Sequence, residues 1–149
     1  MTVIACRKDE TGAWVMAADT VVWNTDGMKL GTATKIVRFK GGMIAACGKA
    51  SEILAVHKWL RAGMPDPKPT LQRDEGFRAI LVMADGVHVW GYDLQDENDH
   101  EAPYYTIGWK TQFTLGCLAA GASAEQAVRL TLDLTDSGGG PVQVERWEP

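Results

Sequence analysis

At 149 residues, with 46% hydrophobic and 23% charged side chains, the chain suits a single domain spanning 1–149 and can bury a core of its own. A net charge of -4 with scattered basic residues gives no electrostatic case for nucleic acid, and no apolar stretch approaches the roughly 20 residues of a membrane span. Asp9 and Glu10 interrupt any export leader, and Cys6, Cys47 and Cys117 are too few and too widely spaced for a disulfide framework or a Cys-rich zinc site, so a cytoplasmic chain with free thiols is expected.

In chain order, Val3 to Arg7 and Trp14 to Asp19 are apolar, β-branched runs separated by the turn KDETG, which predicts a hairpin. A polar stretch follows and ends near Thr34. KIVRF and MIAACG then repeat the pattern around Lys40-Gly41-Gly42. In SEILAVHKWLRAG, Ile53, Val56 and Leu60 recur at helical spacing, with Gly63 and Pro65 as the stop and His57 expected at the surface or boundary. MPDPKPTLQRDEG carries three prolines and reads as a covering loop. FRAILVM and VHVWGYD flank the turn Ala84-Asp85-Gly86, and an acidic loop leads to the strand YYTIG. Two helices are predicted over KTQFTLGCLAAG and AEQAVRLTLDLT, the second opened by a capping box of Ser123 and Gln126. A glycine run and the strand PVQVERW close the chain. Runs of strands and helices segregated in this way predict an α+β arrangement with antiparallel sheets.

Thr2 stands directly behind Met1, a residue that Met aminopeptidases generally trim when its neighbour is small. A threonine with a free α-amine carries nucleophile and base on one residue, because that amine, with an ordinary pKa of about 7.7 to 8.0, can accept the hydroxyl proton. An internal threonine lacks this option. His57, His88 and His100 share no metal-ligand spacing, so neither metal nor cofactor is expected. Gly138 to Gly140 lack the lysine and helix of a phosphate loop, and the six tryptophans are scattered, which suits core or subunit contacts better than base stacking.

The order and spacing of MTVIACRK, VMAADT, TKIVRF and IAACGKAS resemble the proteasome β-subunit and the bacterial HslV peptidase, which are N-terminal nucleophile hydrolases. The resemblance continues through AILVMADGVHVW, YTIG, GASAEQAV and GGPVQV, and looks nearest to small proteasome-like proteins of bacteria and phages. It implies a four-layer αββα sandwich. It also implies Thr2 as nucleophile, Asp19 and Lys35 as the acidic residue and lysine beside it, Gly48 at the oxyanion position, and Ala46 and Ala50 lining a specificity pocket. Near the end the family carries an aspartate ahead of a serine and glycine; Asp133 or Asp136 could fill that place, and Asp136 with Ser137 is the choice here. After YYTIG the family usually has a serine that supports the amine, where this chain has Trp109.

The function so implied is a threonine-type peptidase acting through an acyl-enzyme on unfolded polypeptide or peptide, in a homo-oligomeric ring of six or seven subunits. Trp109 keeps a second expectation open, a catalytically silent scaffold or binding protein of the same fold. The sequence gives no indication of an ATPase unfoldase partner.

Overall fold

The computed structural model describes residues 1–148. Strand β1 (Val3–Lys8) turns into β2 (Trp14–Ala18) through a loop tied by Asp9, whose Oδ1 accepts from the N–H of Thr11 and of Ala13 and from the Thr11 hydroxyl. Then come β3 (Val21–Trp23), β4 (Lys29–Thr32), β5 (Ile36–Phe39), β6 (Gly42–Cys47) and helix α1 (Ala50–Arg61). A 3-10 turn at Arg73–Glu75 leads to β7 (Arg78–Met83), β8 (Gly86–Trp90) and β9 (Tyr104–Gly108). Helices α2 (Thr111–Ala119) and α3 (Ala124–Leu134) and the strand β10 (Gln143–Trp147) complete the described chain.

Two four-stranded antiparallel sheets face each other, one ordered β10-β2-β1-β9 and the other β5-β6-β7-β8. The period of two in each central strand separates its side chains onto two packed faces. In β1, Ile4 and Cys6 point into the core between the sheets, while Val3 and Ala5 meet Leu118 of α2 and Ala127 and Val128 of α3. In β6, Met43 and Ala45 enter the same inter-sheet core, and Ile44 and Ala46 pack under Val56 and Leu60 of α1. Ile80 and Val82 of β7 repeat the division against Ala79 and Leu81. Three apolar interfaces therefore hold four layers in the order α1, sheet, sheet, α2 with α3, as the αββα expectation requires. Strands buried on both faces read in sequence as continuous apolar runs, which is why FRAILVM and MIAACG were legible as strands without clean alternation.

The capping box of α3 is present: Ser123 accepts from the Gln126 N–H at 3.1 Å and Gln126 accepts from the Ser123 N–H at 2.9 Å. Two expectations need correcting. The stretch read as polar between β2 and β5 folds into the hairpin β3–β4, its turn organised by Asn24, whose Oδ1 accepts from Asp26 N–H at 3.0 Å and Met28 N–H at 2.8 Å. Val21 is buried, but Met28 and Leu30 are exposed, so a single buried residue left no period in the sequence. His57 is buried rather than at the boundary, with Nε2 lacking a hydrogen-bond partner among the described residues.

Burial, aided by the nearby Arg61 charge, pushes the His57 imidazole down to about 4 from its ordinary 6.5. The folded state thus holds His57 neutral where the unfolded chain would protonate it, and its stability falls as pH drops from 6.5 toward 4. The melting temperature should decline by several degrees across that window, and His57→Gln should flatten the decline. A slope unchanged by the substitution would rule out His57 as its source.

Candidate active site

The β1–β2 register, with Ile4 opposite Ala18, brings the residue after β2 beside the residue that opens β1. Asp19 N–H donates to Val3 O at 3.1 Å and the Asp19 carboxylate accepts from Val3 N–H at 2.9 Å, so the carboxylate lies under the chain that carries Thr2. Asp19 is fully buried. Lys35, at the mouth of β5 on the facing sheet, crosses the gap: its Nζ stands 2.9 Å from Asp19 Oδ1 and 3.0 Å from Thr2 Oγ1. The three residues expected to act together are thus brought together. Burial holds the Lys35 ammonium below the ordinary lysine value, partly opposed by the Asp19 charge. A cation within hydrogen-bond distance of a hydroxyl oxygen favours developing negative charge on that oxygen.

Lys35 is anchored through its backbone by a residue absent from the sequence reading. The Gln143 carboxamide oxygen accepts from the N–H of Lys35 and of Ile36, both at 2.9 Å, and its nitrogen donates to Ile36 O at 2.9 Å. A signal did exist. Gln143 lies four residues before Trp147, which packs against the inter-sheet core, and a period of two puts both side chains on one face of β10.

Thr2 is held from the other side by β9. Trp109 N–H donates to Thr2 O at 2.7 Å, while the Trp109 indole is 51% exposed and so does not fill the site. The glycine run lies against Asp19 and its neighbours. A Cβ on Gly138 would stand 3.0 Å from Asp19 Cγ, and Gly139 O accepts from the N–H of both Thr20 and Val21 at 3.1 Å. Ser137 is buried, its Oγ lacking a hydrogen-bond partner among the described residues.

Other expected site residues fall differently. The Asp136 side chain is 83% exposed and reaches Lys110 Nζ at 3.8 Å, so it does not join the cluster, and Asp133 is exposed on α3. Gly48 follows β6 at a φ of +123°, and a Cβ there would come within 2.9 Å of Phe77 Cα, so both backbone conformation and space call for glycine. Ala46 faces α1 inside a packed cluster, which removes it from any open pocket, whereas Ala50 is exposed at the start of α1. The placement of Ala46 follows from strand alternation: Ala45 and Cys47 face the other way.

The sequence matches no family model and no curated protein. Solved structures do match along nearly the whole chain. BPH of Thiobacillus denitrificans in complex with epoxomicin aligns over 99% of this chain and 98% of its own, at 22% identity and a TM-score of 0.72. Eukaryotic HslV of Trypanosoma brucei aligns over 98% of both chains at 16% identity and a TM-score of 0.72. The fold is that of the proteasome-like N-terminal nucleophile hydrolases. A Gly-1 mutant of Anbu from Hyphomicrobium sp. strain MC1 shares it more distantly, at 15% identity and a TM-score of 0.63, over 98% of this chain and 82% of its own.

Within this proteasome-like fold the mouth between the sheets depends on close backbone approach. Gly108 has a φ of +103°, and a Cβ there would fall 2.0 Å from Thr2 O, on backbone that cannot swing aside. Gly108→Ala should destabilise the protein by about 2 kcal/mol or more in denaturant unfolding, since strain and displacement of Thr2 act together. A loss below about 0.5 kcal/mol would mean that the β1–β9 contact at Thr2 is looser than these distances imply.

Proposed function

We propose that this chain is an N-terminal threonine peptidase that cleaves unfolded polypeptide or peptide through an acyl-enzyme. The observation that carries the reading is the Lys35 ammonium 3.0 Å from Thr2 Oγ1 and 2.9 Å from Asp19, at the end of the sandwich where β1 begins. Met1 is about half exposed ahead of Thr2, so an aminopeptidase can reach it.

With Met1 removed, the Thr2 amine takes the hydroxyl proton and Oγ1 attacks the scissile carbonyl. Lys35 stabilises the alkoxide, and Asp19 keeps the lysine charged and oriented. Negative charge on the tetrahedral oxygen is met by the backbone N–H of Gly48. The amine then returns its proton to the leaving nitrogen, the C–N bond breaks, and water hydrolyses the Thr2 ester. Ser137, buried beside the glycine run with an Oγ that has no partner among the described residues, is the hydroxyl we assign to supporting the amine where Trp109 replaces the family serine.

Epoxomicin, the ligand bound to the structurally similar BPH, is the natural probe. Intact mass should show Met1 missing and one epoxomicin added, and Thr2→Ala should abolish both adduct and peptide turnover. Lys35→Ala should lower turnover at least about a hundredfold, the scale for one electrostatic stabiliser, in protein confirmed as folded by circular dichroism. Turnover surviving in Thr2→Ala would end the assignment.

The outer side of α2 and α3 leaves Phe113, Leu115, Leu130 and Leu134 exposed, with Trp109 at the start of α2. This apolar surface supports assembly into a closed ring of identical subunits. Light scattering should report one or two rings of six or seven chains, each chain 16.2 kDa. A monomer at micromolar concentration would remove the ring. Because Trp109 stands where the family places a hydroxyl, the second reading is a silent scaffold, and an intact ring that epoxomicin never labels would select it.

A further inference from the structure

We propose that Gln143 is the positioning residue that sets the Lys35 ammonium against Thr2, acting as a one-residue substitute for a missing neighbour strand. The inference rests on the peptidase reading for its catalytic consequence, and on geometry alone for its effect on Lys35. Thr2 and Asp19 flank strands of one sheet, Lys35 a strand of the other, and among the described residues no strand pairing joins the two sheets. β5 is an edge strand whose ladder partner is β6. On its free side, Ile36 N–H and C=O would face a gap, and Lys35 N–H lies just before the strand begins. β10, the edge of the opposite sheet, delivers a carboxamide into that place.

Only a carboxamide meets the whole demand. Its oxygen accepts two N–H groups and its nitrogen donates to the Ile36 carbonyl, all at 2.9 Å, a pattern that also fixes which end is oxygen. Three bonds converge on Lys35 and its neighbour Ile36, so the Lys35 Cα is fixed to β10 and, through the β10–β2 ladder, to the strand that leads directly into Asp19. The neighbouring link between the same edges, Arg38 Nε to Glu145 Oε2 at 3.1 Å with Arg38 Nη2 donating to the Arg146 carbonyl, runs from an exposed arginine to a half-buried glutamate and leaves the Lys35 and Ile36 backbone groups untouched, so it fixes the lysine stem less. A lysine has four rotatable bonds below a mobile edge, and a displacement of about 1 Å at its ammonium can lower turnover on the order of a hundredfold. Gln143 removes that freedom at its base.

The test compares Gln143→Leu, which removes all three bonds, and Gln143→Asn, whose shorter arm cannot span them, with Arg38→Ala as control. Each variant is prepared as the full chain in its native assembly and checked for folding by melting temperature. The Lys35 ammonium is titrated by carbon-13 NMR at Cε, its signal assigned by its absence from Lys35→Ala. Released toward water, Lys35 should titrate closer to the ordinary lysine value in the Leu and Asn variants, and kcat should fall tenfold or more with KM changed less than threefold. Arg38→Ala should leave turnover and the titration as in wild type. An unchanged Lys35 titration in either folded variant would overturn the proposal, as would a fall in Arg38→Ala equal to that in Gln143→Leu. If wild type is never labelled by epoxomicin while Gln143→Leu still moves the Lys35 titration, the positioning role stands and the peptidase reading falls.

Discussion

A carboxylate with no access to water sits where the two sheets come closest to sharing a site. Taking Asp19 out of solvent is unfavourable by several kcal/mol before compensation, and truncating one member of a buried ion pair typically costs about 3–5 kcal/mol. One backbone N–H from its own sheet and one ammonium from the other both reach Asp19 Oδ1, while Oδ2 has no hydrogen-bond partner among the described residues. This demand orders the rest of the site. Lys35 must reach across, its strand must begin at that height, and the chain at Val3 must present its N–H downward, which aligns Thr2 above the ammonium. The pair is a weak source of net stability, but it is a strong constraint on geometry, because each alternative position leaves a buried charge unmet.

The glycines around Asp19 and Thr2 answer the same constraint with space. Gly108 lets β9 pass close enough to grip the Thr2 carbonyl, and Gly138 lets the returning chain lie against the Asp19 carboxyl. A side chain at either position would push apart the groups whose distances define the cluster. Fixed backbone rather than long side chains holds Thr2 and Asp19, and this suits a site in which small displacements matter. Lys35 is the exception, being long and placed at a sheet edge, and its fixation comes from the other edge through Gln143.

Sandwiches of facing sheets keep free edges, and unpaired N–H and C=O groups on them attract foreign strands. Here the β5 and β10 edges satisfy each other through side chains, with Gln143 in the interior and Arg38 with Glu145 toward solvent. At Lys35 and Ile36 the edge is occupied by the same contact that fixes the lysine.

Most elements were legible because their causes are local. The hairpin β1–β2, the capping box of α3 and the apolar runs of β6 and β7 rest on turn residues, cap residues and side-chain period within about ten positions. The triad of Thr2, Asp19 and Lys35 was legible only through its resemblance to a family, since no pattern in the residues themselves draws together positions 16 and 33 apart. The β3–β4 hairpin escaped because only Val21 of its apolar residues is buried while Met28 and Leu30 face outward, and His57 was misread because one helical turn gives no sign of what covers it. Asp136 and Ala46, carried over by resemblance, show how much register matters: one residue turns a side chain to solvent or into a core. Composition, period and turn chemistry determined strands, helices and their order. Gln143 meets Lys35 across 108 residues, and the Thr2 carbonyl meets Gly108 and Trp109 from a different strand, so the site itself was decided by the stacking of two sheets, which no local segment encodes.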